Sequence, residues 1–448
     1  MRSHHRERAY RNLAAALLSV EWREVELRKA ARLATGLRFK RTPPFLRKTL
    51  AAFPTRPDFD RLLALLMRRH EHYDFEGGVP PIRQVFVLPS IMVAPPAAAG
   101  PVVLPQLPTE AAFADWLGIT PGRLRWLADI SGRNRLHPEG PLRTYRHRWI
   151  AKPGGRARLL EIPKTGLKLI QRKILAEILN QIPTHNAVHG FRPGRSIVTN
   201  AAPHCGKRIV VRFDLRDFFP SIPALRIYRI FRTFGYPETV ARLLAGLCTT
   251  RLPRDVWEAK PNPPGDGSDH AAWQRLASRH LPQGAPTSPA LANLVAFRLD
   301  GRLAGFAACV DADFTRYADD LAFSGSEELA RKVTRFAVRV AAIAAEEGFA
   351  LNFNKTRVMR RSQRQQIAGV VVNVRPNSPR REYDSLKAIL TNCIRHGAES
   401  QNREKRADFR AYLSGRVAHL GAINPVRGRK LWALFDRIVW NLPEAQAN

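Results

Sequence analysis

Phe314-Thr315-Arg316-Tyr317-Ala318-Asp319-Asp320-Leu321-Ala322-Phe323-Ser324 carries two adjacent aspartates between two short runs of strand character, Asp313 to Arg316 and Leu321 to Ser324. The spacing predicts a β-hairpin with the acid pair at its tip. Two carboxylates side by side repel one another unless a cation, a proton or solvent relieves them. In a basic chain that handles phosphates, a magnesium site is the economical explanation. Asp is also an ordinary turn residue, so a solvated turn is open on these residues alone. The choice depends on whether matching acids and bases occur elsewhere in the chain.

The chain of 448 residues has room for two to four domains, at roughly 100–200 residues each. Its hydrophobic fraction of 45% is that of a globular protein. With 73 Lys and Arg against 38 Asp and Glu, the formal net charge is +35, which points to a polyanionic partner. Nucleic acid is favoured over membrane, because no apolar run approaches the ~20 residues of a spanning helix. Met1-Arg2-Ser3-His4-His5-Arg6 lacks the apolar core of a secretion signal. Cys205, Cys248, Cys309 and Cys393 are scattered without a metal-type pair, so reduced thiols in a cytosol are expected.

Residues 1–76 read as a basic helical extension, with Leu13, Leu17, Leu62 and Leu66 among Arg-rich turns. An RNA-binding appendage and a small helical domain with a charged face both fit. Residues 77–108 turn abruptly to Pro, Ala, Val and Gly, the composition of a semi-rigid linker. Thr109 and Thr120-Pro121 are helix starts. From Tyr145 to Pro163, Arg146, Arg148, Lys152, Arg156 and Arg158 surround a Gly154-Gly155 turn, giving a basic hairpin suited to a polyphosphate or simply to solvent. His189-Gly190-Phe191-Arg192-Pro193-Gly194-Arg195-Ser196 is a loop able to approach a nucleic-acid backbone, and equally a surface turn. Asn200 and His204 follow, by chemistry a turn cap and an exposed imidazole.

Arg208 to Phe213 reads as a strand ending in Asp214, a candidate third ligand beside Asp319 and Asp320. Asp217 reads as a cap or surface residue, and Phe218 and Phe219 suit a core. Residues 251–280 look like an irregular insertion. Ser288 with Pro289 predicts a capped helix running to about Leu303. A helix over Glu327 to Glu347, strands over Phe349 to Phe353 and Ile367 to Asn373, and basic helices beyond Pro379 complete the reading.

In this order the blocks resemble the retron-type reverse transcriptases of bacteria. The match lies in Gly155-Arg156-Ala157-Arg158-Leu159, His189 to Ser196, Phe213 to Ile222, Pro282-Gln283-Gly284-Ala285-Pro286-Thr287-Ser288-Pro289 and Tyr317 to Asp320. Asn200-Ala201-Ala202-Pro203-His204 is similar to an element that separates retron enzymes from intron-encoded relatives. Ile367-Ala368-Gly369 stands where the family often has Val-Thr-Gly.

The resemblance implies an α+β right-hand polymerase: lead-in and fingers at 109–208, palm at 209–373 and helical thumb at 374–448. Asp214, Asp319 and Asp320 would hold two Mg²⁺ ions. Arg156 and Arg158 would grip the triphosphate of a dNTP, Gln283 and Gly284 line the nucleotide pocket, and Tyr317 lie by the primer end. Phe219 would exclude a 2′-hydroxyl, and Lys355 would protonate or contact pyrophosphate. Arg192, Arg195, Asn200, His204 and Gly369 would meet nucleic acid. The implied partners are a structured noncoding RNA, its cDNA and an effector protein in antiphage defence, with no membrane. An intron-encoded reverse transcriptase with maturase activity and a catalytically silent RNA-binding scaffold are the rival readings.

Overall fold

The computed structural model describes residues 2–57, 59–68, 75, 79–86, 92–97, 100–137, 139–151, 157–261 and 268–440. The chain forms two compact units, Met1–Met92 and Val93–Asn448.

The first unit holds helices α1 (Arg2–Leu18), α2 (Glu24–Thr35), α3 (Pro44–Ala52) and α4 (Phe59–Arg68). Leu13 and Leu17 of α1 close on Leu27, Leu46, Leu62 and Leu66 in a core of its own. The Asn12 side chain clamps the segment after it, donating to Gln84 O at 2.9 Å and accepting from Phe86 N at 2.8 Å. Residues 84–86 of the Pro/Ala-rich stretch are therefore docked on this unit. Past the division, Val93 N donates to Gly235 O of the second unit at 3.0 Å, and Leu104 and Leu107 are buried.

The second unit opens with α5 (Glu110–Leu117) and α6 (Pro121–Ala128). The Thr109 and Thr120 hydroxyls cap them, accepting from Ala112 N and Arg123 N. Strands β1 (Tyr145–Ala151) and β2 (Ala157–Pro163) form the basic hairpin, whose turn, with Arg156, lies outside the described residues. Next come α7 (Thr165–Glu177), α8 (Ile197–Ala201), β3 (Ile209–Asp214), α9 (Ala224–Thr233) and α10 (Glu238–Cys248). The expected irregular insertion contains α11 (Arg254–Glu258) and α12 (Ser268–Ala277). Trp257 of α11 lies 6.2 Å from the β1 ring of Trp149 and 5.5 Å from Trp273, so aromatic packing orders what composition alone left formless.

Then follow α13 (Ser288–Val295), α14 (Phe297–Cys309), β4 (Asp313–Tyr317), β5 (Asp320–Gly325), α15 (Glu327–Arg331), α16 (Val333–Glu346) and β6 (Arg357–Arg360). The chain ends in β7 (Gln366–Ile367), β8 (Val370–Val371), α17 (Arg380–His396), α18 (Phe409–Ile423) and α19 (Pro425–Phe435). The last three pack around Leu390, Leu413, Leu420 and Leu431.

The central sheet is antiparallel in the order β4-β5-β3-β6. Its two-residue alternation sends Phe213 and Phe323 to one face, where Phe323 meets Phe314 at 4.7 Å and Phe336 of α16 at 5.0 Å. Val210 and Ala322 go to the other, against Ala201, Ile367 and Val370. With both faces covered, the strand ends are the part left to carry chemistry.

Several expectations need correction. The helix after Pro286 starts with Thr287 at the cap position, and neither it nor Ser288 caps with a side chain. It also breaks near Ala296 instead of reaching Leu303. Phe349 to Phe353 forms only an isolated bridge, Leu351 to Leu215, before a 3-10 turn at Phe353–Lys355. Ile367 to Asn373 is not one strand: Ala368 and Gly369 take φ of 46° and 86° and fold it into the β7–β8 hairpin. Strand β6 carries no apolar alternation, being Arg357-Val358-Met359-Arg360.

Candidate active site

The acids converge as the register dictates. Asp214, the last residue of β3, pairs across the ladder with Asp320, the first of β5. Asp319 sits in the two-residue turn after Tyr317, and its carbonyl accepts from Leu215 N at 2.8 Å. Three carboxylates distant in sequence thus share one end of the sheet. Burial, with Asp320 and Asp214 adding repulsion, raises the Asp319 carboxyl above its ordinary range.

Each neighbouring acid already has an internal cation. Lys355 Nζ lies 2.7 Å from one Asp214 oxygen, and Asn352 Nδ2 donates to the other at 3.2 Å. Arg212 Nη2, on the same face of β3 as Asp214, donates to both Asp320 oxygens at 3.1 Å. Turned toward these partners, the acids do not form a ready-made cage. Among the described residues no group of three or more His, Cys, Asp or Glu side chains is arranged to hold a metal. The donor chemistry nonetheless fits a hard divalent cation: these are carboxylate oxygens, and Asp319 stands among like charges that such a cation would relieve.

Arg316, absent from the residues singled out by sequence, fixes the hairpin. Fully buried on β4, it makes a two-pronged ion pair with Asp300 of α14 at 2.6 and 2.7 Å. Its third nitrogen donates to Ala318 O and Asn293 Oδ1. Asn293 in turn donates to Gly190 O at 3.0 Å, and His189 N donates to Arg316 O at 2.8 Å. One buried guanidinium therefore joins the acid turn, α13, α14 and the His189 to Ser196 loop. A buried pair of this kind tolerates loss of one partner poorly, since the other charge is left uncompensated.

That loop lies against the hairpin tip. A Cβ added to Gly190 would stand 2.6 Å from Ala318 N. Phe191 then faces Phe219 at 6.4 Å and Tyr317 at 6.3 Å. Arg195 is exposed, whereas Arg192 is half-buried and donates to His185 O at 3.3 Å. Asp217, at φ 50°, pairs with Arg275 at 2.8 Å. Gln283 and Gly284 are held on β2, where Gln283 O accepts from Glu161 N at 2.9 Å. Gly284, at φ 133°, leaves no room for a side chain over Glu161 O. A fully buried His280–Glu161 pair at 3.0 Å stands beneath this loop, and the Glu161 charge and hydrogen bond outweigh burial to raise the imidazole. Arg158 is exposed on the same strand. Gly369 occupies the β7–β8 turn.

Asn200 and His204 depart from expectation. His204 is no exposed imidazole: it is fully buried, bridging Ser324 Oγ on β5 at 2.7 Å and Thr315 Oγ1 on β4 at 2.8 Å. Thr315 Oγ1 also donates to Asn200 O at 3.1 Å. Both residues brace the hairpin from behind, a position that leaves His204 no surface for nucleic acid.

The family described as reverse transcriptase (RNA-dependent DNA polymerase) matches residues 150–378. Retron Mx65 reverse transcriptase from Myxococcus xanthus is 39% identical over 73% of this chain and 71% of its own. Retron Mx162 reverse transcriptase from the same organism is 34% identical, over 74% and 67%. Retron Ec86 reverse transcriptase from Escherichia coli is 30% identical, over 55% and 69%. A solved telomerase from Candida albicans, with a fragment of telomeric RNA, superposes at a TM-score of 0.32 and 11% identity, covering 66% of this chain and 56% of that one, too loosely to carry an argument. The architecture is that of a right-hand polymerase, and the family's reaction brings an RNA template and a divalent metal cofactor. The chain belongs to the retron-type reverse transcriptases and is an RNA-directed DNA polymerase.

Proposed function

We propose that the protein copies a structured noncoding RNA from its own locus, starting from a 2′-hydroxyl within that RNA and yielding a branched RNA–DNA hybrid. It acts in the bacterial cytoplasm, in antiphage defence alongside an effector protein. Similarity to retron enzymes supports this reading over an intron-encoded maturase or a silent scaffold. The observation that carries the enzymatic part is the Asp214–Asp320 pairing with Asp319 in the adjoining turn.

In this reading Asp214, Asp319 and Asp320 hold two Mg²⁺ ions. When bound, the ions favour the ionised primer hydroxyl and offset the charge of the departing pyrophosphate. Lys355 releases Asp214 and turns to the pyrophosphate, a move that its half-exposed side chain and single ion pair permit. Arg156 and Arg158 bind the triphosphate of the incoming dNTP, while Gln283 and Gly284 line its pocket. Tyr317 packs beside the primer end, and Phe219 excludes a ribose 2′-hydroxyl. Arg192, Arg195 and Gly369 approach the nucleic-acid backbone. The domains divide as fingers to 208, palm to 373 and thumb beyond.

The test is to sequence the nucleic acid that copurifies with the protein and treat it with a debranching enzyme. One RNA species joined to DNA through a 2′–5′ bond is expected. Bulk cellular RNA without attached DNA, from protein active on an added template, would remove the retron-specific part and leave the polymerase.

A further inference from the structure

Phe191 is held at a conformational cost. Its backbone lies at φ 59°, a region bulky side chains rarely enter, and the residue is 51% exposed. The preceding residue explains how it is held there. Gly190 is fixed by the Asn293 bond to its carbonyl and by its close approach to Ala318 N, so the chain must leave the hairpin tip at this angle.

The ring is thereby placed between two others. Its centroid is 6.4 Å from Phe219 at an interplanar angle of 56°, and 6.3 Å from Tyr317 at 40°. Phe219 meets Phe218 on another side, at 5.4 Å. Phe218 is buried, with Phe349 at 5.7 Å and the Arg316 guanidinium at 5.7 Å from its ring. Phe219 thus has a rigid wall in Phe218, while its contact with Phe191 comes from a half-exposed loop. A ring excludes a hydroxyl group only while it cannot turn aside, so the stiffness of this contact bears directly on selectivity.

We propose that Phe191 is a specificity-determining positioning residue: it braces Phe219 and thereby strengthens discrimination against ribonucleotides. The proposal rests on the reading of Phe219 as the residue that senses the 2′-position. A simple packing role would predict that losing the ring weakens use of every nucleotide alike.

The experiment measures single-nucleotide incorporation of dNTP and rNTP on an RNA template by full-length protein carrying Phe191→Ala, Phe191→Tyr, Phe219→Ala or both alanines. Phe191→Ala should raise kcat/KM for rNTP in absolute terms and lower the dNTP/rNTP preference by about tenfold. Phe191→Tyr should keep the preference, and the double variant should relax it no further than Phe219→Ala alone. Should Phe191→Ala fold poorly, Phe191→Leu reads out the same ratio. A relaxed Phe219→Ala beside an unchanged preference in Phe191→Ala, or equal losses on both nucleotides, would overturn the brace alone. An unchanged preference in Phe219→Ala would overturn the reading of Phe219 and the brace with it.

Discussion

Arg212 and Lys355 each neutralise one of the acids beside Asp319, so in the proposed metal site divalent ions would compete with cations the chain supplies itself. This has a measurable consequence for Arg212. Arg212→Gln frees the Asp320 oxygens and removes a positive charge, so Mn²⁺ should bind the RNA-loaded protein several-fold more tightly by paramagnetic resonance titration. Unaltered affinity would show that the pair does not oppose the metal. Deeper in the hairpin, Asp300→Asn leaves the Arg316 charge buried without its counter-ion. A loss of about 3–5 kcal/mol in urea unfolding is expected, and a change within error would mean that Asn293 and Ala318 suffice. That Asp214, Asp319 and Asp320 share one end of the sheet was legible, because strand patterning places each at or beside a strand end. Arg316 was not, because a buried arginine looks in sequence like any of the many surface ones, and its partner Asp300 lies on another element.

At the scale of elements, the β4–β5 hairpin is set by what stands before and behind it. In front, Gly190→Ala would drive a Cβ into Ala318 N and push the loop off the acid turn. DNA synthesis should fall steeply while the urea midpoint shifts little; retained synthesis would show that the loop position is not needed. Behind, burial pushes the His204 imidazole down to about 4, with Lys207 and His189 opposing its charge and Asp313 favouring it. The unfolded chain therefore takes up this proton first. The His204 contribution to pH dependence is absent above about pH 6.5 and destabilises as pH falls toward 4, by on the order of 3 kcal/mol. Thermal melts from pH 7.5 to 4.5 should fall steeply, and His204→Asn, though less stable at pH 7.5, should flatten the slope; an equal slope in both would exclude this imidazole. The hairpin and the Thr109 and Thr120 caps were readable because they depend on local chemistry. The β7–β8 turn was not, because Ala368 at positive φ is imposed by tertiary packing against α8 and not by its own preference.

Over the whole molecule, charge is the property the sequence announced most clearly, and +35 suits a chain that must hold RNA and DNA together. Two compact units were less plain, since the Pro/Ala-rich stretch marks the boundary region but not that its residues dock on their neighbours. Because Met1–Met92 closes its own core, a fragment of those residues should unfold cooperatively in urea; a gradual, featureless transition would show that it needs the remainder of the chain. The proposed metal site requires that Asp214, Asp319 and Asp320 together support DNA synthesis on RNA. It is tested most directly by incubating full-length protein and its copurified RNA with Mg²⁺ and labelled dNTPs, beside Asp214→Asn, Asp319→Asn and Asp320→Asn proteins that retain equal RNA. The expected result is RNA-templated DNA from the unaltered protein and none from any of the three variants, and undiminished product from any variant would remove that acid from the reaction.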